Sequence, residues 1–107
     1  MPEKEGQEWR RRFVFLLKFN TADLKDVRSK LRDDAKQWGG KNCEFLPVAG
    51  EYDMVVRADE GTMEDAFKFT VYLTNSGRYT VSSTLTVFTD DEFQFATGEG
   101  PDPHRRG

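Results

Sequence analysis

Gly50-Glu51-Tyr52-Asp53-Met54-Val55-Val56-Arg57-Ala58 is the stretch from which the fold is read. Gly50 supplies a tight turn, and the residues after it alternate in direction with the two-residue period of a β-strand. Tyr52, Met54, Val56 and Ala58 make one face apolar, while Asp53, Val55 and Arg57 place an acid and a base around a β-branched residue on the other. A strand of this kind rests one face on a core and turns the second toward a partner, a cavity or a mixed interface.

Upstream, Lys41 to Val48 reads as a shorter strand, and Pro47, which cannot donate a ladder hydrogen bond, points to a sheet edge or a bulge. The Ala49-Gly50 connection is so short that the two strands must form an antiparallel hairpin. Before them, Leu24, Val27, Leu31, Ala35 and Trp38 recur at helical spacing, predicting a helix over 22–38 that starts at the Asn20-Thr21-Ala22-Asp23 cap cluster and stops at Gly39-Gly40. The first strand carries Phe13, Phe15, Leu17 and Phe19 on one face and Arg12, Val14, Leu16 and Lys18 on the other.

Downstream, Thr62 with Asp65 three residues later signals a helix start. Met63, Ala66, Phe67, Thr70, Leu73 and Thr74 share one face, and Phe69 and Tyr72 lie towards its flank. Thr74-Asn75-Ser76-Gly77 ends it. A last strand over 78–88 alternates Tyr79, Val81, Leu85 and Val87 with Thr80, Ser82, Thr84 and Thr86.

The order strand, helix, strand, strand, helix, strand is that of a ferredoxin-like α+β domain, a four-stranded antiparallel sheet with two helices on one face. Right-handed crossovers put the first and third strands in the centre. Residues 1–8 are expected to be a disordered arm, 9–93 the domain and 94–107 a disordered tail, with a short extension through Phe93 and Phe95.

A chain of 107 residues makes one domain, which buries about two-thirds of its unfolded surface and so leans on association. A net charge of -3 gives no overall attraction to nucleic acid. The local clusters Arg10-Arg11-Arg12 and Arg105-Arg106 come without a helix-turn-helix pattern or an aromatic-interleaved RNA-binding signature. No apolar run approaches the roughly 20 residues that span a bilayer, and no signal peptide is evident, so a cytoplasmic protein without a membrane partner is expected. One cysteine, Cys43, excludes an internal disulfide and a cysteine-based zinc cluster, and no metal or cofactor is expected. Cys43 reads as a small apolar residue, since the single histidine, His104, lies in the Pro/Gly-rich tail.

With helices on one face, the open face is expected to present Arg12, Val14, Leu16, Lys18, Asp53, Val55, Arg57, Ser82, Thr84 and Thr86. The aliphatic residues are too apolar to be left in water and the hydroxyl row is too polar for an ordinary core. A second copy packed sheet against sheet satisfies both, giving a dimeric α+β barrel. Val14, Leu16, Val55, Ser82 and Thr86 are then the interface candidates. Tyr52, Asp53, Arg57, Lys18 and Thr84 are the ligand candidates, because Arg forks onto planar anions and hydroxyls add donors. The plainer reading is that Asp53 accepts neighbouring backbone hydrogen bonds and the hydroxyls bond across strands.

Gly50-Glu51-Tyr52-Asp53-Met54-Val55-Val56, preceded by Trp38-Gly39-Gly40-Lys41 and followed by the strand running to Phe93, resembles the GYD domain family over residues 12–93. The resemblance implies a dimeric, ferredoxin-like α/β barrel in a small cytoplasmic protein and carries no defined reaction. The Arg-rich first strand and the charged tail depart from it. The functional expectation is a homodimer or higher oligomer that binds a small molecule or a partner. A cofactor-independent oxygenase or isomerase, by analogy of fold, and a pure assembly module are the alternatives.

Overall fold

The computed structural model describes residues 10–103. The chain runs β1 (Arg11–Phe19), α1 (Leu24–Ala35), β2 (Cys43–Pro47), β3 (Met54–Gly61), α2 (Met63–Asn75), β4 (Tyr79–Val87) and α3 (Asp90–Ala96). The arm expected over 1–8, with Trp9, and the tail from His104 onward lie outside the described residues. The strands form one antiparallel sheet in the order β2-β3-β1-β4, the ferredoxin-like arrangement with β1 and β3 central.

Each helix begins where a side chain takes up an orphan backbone donor. Asp23 accepts from the Asp26 backbone N–H at 3.1 Å. Thr62 and Asp65 form a reciprocal capping box at α2, and Thr89 and Glu92 form another at α3. The second box turns the expected extension through Phe93 and Phe95 into a helix that spans residues 93 and 94.

The core lies between the sheet and the two longer helices. Phe13, Phe15, Leu17, Met54, Val56 and Ala58 rise from β1 and β3 to meet Val27, Trp38, Ala66, Phe69 and Leu73. Trp38 stands edge-on to Phe13 and Phe15, with centroids 5.9 and 6.1 Å away, and its indole N–H donates to the Asp59 carbonyl at 2.9 Å. Gly61 lies flat against this ring, leaving no room for a Cβ.

The phase of α2 corrects the sequence reading. Ala66, Phe69 and Leu73 form its buried stripe, whereas Phe67 is 70% exposed. Ala66 and Leu73 fit either phase. The edge-on contact of Phe69 with Phe15 at 5.3 Å selects the observed one.

The faces of β4 also need correction. Phe19 pairs with Tyr79 and Leu17 with Val81, but Leu16 pairs with Ser83, so Ser82 is the extra residue of a β-bulge. One inserted residue exchanges the two faces for the rest of the strand. Thr84 and Thr86, opposite buried Phe15 and Phe13, therefore lie on the helix side, and Leu85 and Val87 turn to the open side. Thr84 Oγ1 is 3.5 Å from Thr70 Oγ1 of α2.

A second irregularity separates the pairs Arg11–Gly61 and Phe13–Ala58 in the β1–β3 ladder. Here Glu60 takes a left-handed φ of 52°, which is rare for a residue with a Cβ. Among the described residues no helix is long and apolar enough to cross a membrane.

Candidate functional site

The registers place the open-face side chains in rows. Leu46, Val55, Leu16 and Ser83 form one row across the sheet, and Glu44, Arg57, Val14 and Leu85 the next. Beyond them Arg12 pairs with Val87. Leu46, Val55, Leu16, Val14, Leu85 and Val87 make a continuous aliphatic patch that no element of the described chain covers. Leu85 is 48% and Leu46 37% exposed. Arg12, Arg57, Lys18, Glu44 and Asp59 surround it.

The expected interface residues Val14, Leu16 and Val55 lie within this patch, each partly buried by its neighbours. Thr86 is behind the sheet, and Ser82 is the exposed bulged residue. The bulge replaces a hydroxyl row with Leu85 and Val87, so the face is more apolar than its sequence alternation indicates.

The ligand candidates do not converge. Asp53 carries out the plainer role: its N–H donates to the Leu17 carbonyl at 3.0 Å and its Oδ2 accepts from the Phe19 N–H at 2.9 Å, closing the end of β1. Tyr52 is half-buried in the turn before β3. Arg57 is four residues beyond Asp53, about 13 Å by the strand rise. Its acid partner is Asp59 at 3.7 Å, not Asp53. Lys18 is exposed beside the Asp53 end of the sheet, and Thr84 is on the opposite face from both bases.

Asp59 gathers two bases, taking Arg12 Nε at 3.0 Å as well as Arg57. It borders a cleft of about 420 Å³ at the start of β1, lined also by Arg11, Arg12, Glu60, Phe88 and Asp90. The Arg11 guanidinium lies 5.4 Å from the centroid of the Phe88 ring and 3.0 Å from Glu92. Both arginines lining the cleft thus already face an acid, which leaves them poorly placed to recruit an anion or a nucleic-acid backbone. Arg10 approaches Asp65 at 4.0 Å.

The most elaborate polar cluster is one that the sequence reading did not single out. Asp34, fully buried, accepts from Tyr72 Oη at 2.7 Å, Tyr79 Oη at 2.9 Å and the Arg78 guanidinium. It ties the end of α1 to α2 and to the start of β4. Burial, and then the hydrogen bond to Asp34, push the Tyr72 and Tyr79 hydroxyls above their ordinary value. Burial pulls Arg78 down, but the bond and charge of Asp34 outweigh it and hold the guanidinium firmly protonated. Asp34 follows Leu31 by three residues and precedes Trp38 by four, so its place on the apolar stripe was the available signal. Its partners close every side of the carboxylate, which makes it a structural clamp.

Cys43 is partly buried, and burial followed by the charges of Asp59 and Asp34 pushes its thiol up to about 12, so it is no nucleophile at neutral pH. Among the described residues no group of three or more His, Cys, Asp and Glu side chains is arranged to hold a metal ion. Comparison of the chain with protein-family models, with curated proteins and with solved structures finds no match in any of the three.

Proposed function

We propose that this chain is a self-associating binding module whose open sheet face packs against the same face of a second copy. The observation that carries the reading is the aliphatic patch of Leu46, Val55, Leu16, Val14, Leu85 and Val87. An antiparallel sheet that ends in water carries polar residues on its outer face, whereas this one carries six aliphatic side chains beside Glu44, Arg57 and Ser83. The resemblance of residues 12–93 to the GYD domain family belongs to the same reading. A two-fold interface needs a self-complementary surface, and the margin supplies Glu44 and Asp59 along with Arg57, Arg12 and Lys18.

A filled apolar interface favours assembly and partner binding over a reaction chamber between the sheets. The test is light scattering on the wild type and on Leu46→Lys with Leu85→Lys. In a two-fold interface each substitution acts twice, so Leu85→Lys alone weakens the dimer roughly a thousandfold, from about 2 kcal/mol of lost burial per copy. A wild-type chain that is monomeric at tens of micromolar, about the highest dissociation constant such a patch would give, rules the reading out.

A further inference from the structure

The two edges of the sheet are built differently. β2 is five residues long, holds Glu44 and ends at Pro47, features that keep an edge strand from pairing with another chain. β4, at the other edge, is nine residues long and contains neither a charge nor a proline. Its one guard, the Ser82 bulge, lies upstream of Ser83, Thr84, Leu85, Thr86 and Val87. The direction of its backbone groups follows from β1. The Leu17 carbonyl accepts from Asp53 on the β3 side, and the Asn20 N–H donates to the Arg78 carbonyl on the β4 side. The even-numbered residues of β1 therefore bond β4, and Leu16, Val14 and Arg12 take up the backbone groups of Ser83, Leu85 and Val87. Thr84 and Thr86 turn theirs outward, where no backbone group among the described residues meets them.

Beside this edge runs an apolar stripe of α2. Met63, Phe67, Thr70 and Thr74 follow one another at four, three and four residues, the spacing of a seam between two helices. Met63 and Phe67 are 64% and 70% exposed. The 3.5 Å approach of Thr70 Oγ1 to Thr84 Oγ1 shows that this flank of α2 overlooks β4. Glu64 and Lys68 pair with each other at 3.2 Å on the flank away from β4, so neither charge enters the stripe.

We infer that β4 pairs edge to edge, antiparallel, with β4 of a second copy, and that the two α2 helices pack side by side above the junction. A two-fold axis perpendicular to the sheet near Thr84 produces both contacts. The spacing fits. α2 straddles β1 and β4, touching Phe15 through Phe69 and Thr84 through Thr70, so its axis stands about 4.8 Å, one strand spacing, from the junction. The two helix axes are then about 10 Å apart, the distance at which helices pack. An uncharged strand also meets its own copy with no like charges opposed and with threonines across from threonines. An extended peptide would take the edge and leave Met63 and Phe67 in water, whereas a second copy covers both. This contact lies outside the open face proposed above for self-association, and edge and face used together make a tetramer of two continuous sheets.

Equilibrium sedimentation and amide hydrogen exchange of the full chain test it, as wild type, Phe67→Lys, Thr84→Lys and Leu46→Lys. Phe67 and Thr84 are exposed, so both variants keep their secondary structure. Each substitution acts twice across the axis and raises the dissociation constant of the edge contact at least about tenfold. Leu46 lies on β2, across the sheet, and its substitution weakens only the face contact. The Leu46→Lys chain therefore stays dimeric, with slow exchange at the Thr84 and Thr86 N–H groups. A Leu46→Lys chain that is monomeric at tens of micromolar overturns the edge contact and leaves the face contact standing. A wild-type dimer that Phe67→Lys splits and Leu46→Lys does not supports the edge contact and overturns the face reading. Fast exchange at Thr84 and Thr86 in the assembled chain overturns the strand pairing, as does an assembly that Phe67→Lys and Thr84→Lys both leave unchanged. A monomeric wild type overturns both readings.

Discussion

Val14 of β1 stands opposite Leu85 of β4, and both point away from the helices. A regular alternation from Tyr79 would have turned Leu85 inward, so this pair exists because Ser82 is bulged out of the ladder. Deleting Ser82 leaves the pairs on both sides intact, with Leu17 still opposite Val81 and Leu16 still opposite Ser83. The deletion is expected to fold, to cost about 1 kcal/mol or less by urea unfolding, and to keep Leu85 on the open face. A deletion that unfolds the chain contradicts the bulge.

Asp34 is costly to remove. Asp34→Ala strands two tyrosine hydroxyls and the mostly buried Arg78 guanidinium, whose side chain is 17% exposed. Loss of one partner of a buried ion pair costs about 3 kcal/mol or more, and Asp34→Asn, which keeps an acceptor, costs less. Urea midpoints of the two variants check the order. Near-equal values would mean that the charge on Asp34 contributes little.

Stability is expected to fall at alkaline pH. The folded state holds the protons of Cys43, Tyr72 and Tyr79 more tightly than the unfolded chain does, so their contribution is fully present below the unfolded values of 9.0 and 10.0. It is lost as pH rises through the folded values, from about 9 to about 12 for Cys43. Cys43→Ala should flatten the decline that starts near pH 9 and leave the tyrosine component above pH 10. Urea midpoints from pH 8 to 11 read both.

Neighbouring substitutions at the β3 bulge should act with opposite sign. Gly61→Ala drives a methyl into the Trp38 ring and is expected to cost about 1–3 kcal/mol. Glu60→Gly relieves the left-handed backbone and is expected to stabilise by up to about 1 kcal/mol. Thermal midpoints moving in the same direction would refute the account of this corner.

The sequence by itself determined the order of the elements from β1 to β4, the hairpin across Ala49-Gly50, the core faces of β1 and β3 and the Thr62 helix start. These depend on local rules: period-two alternation, period-3.6 stripes, glycine turns and capping side chains, each written in a few adjacent residues. Tertiary structure alone decided the side on which Leu85 and Thr84 lie, because a bulge depends on how β4 meets β1 and leaves no mark in the alternation of β4. It also selected Phe69 over Phe67 for the core, through contact with Phe15, and made Asp34 a buried clamp by bringing Tyr72, Arg78 and Tyr79 around it from residues 38 to 45 positions away. Periodicity shows which residues share a face. Only packing between distant segments decides what that face meets, and with it whether the sheet presents a polar chamber or an apolar surface for a second chain.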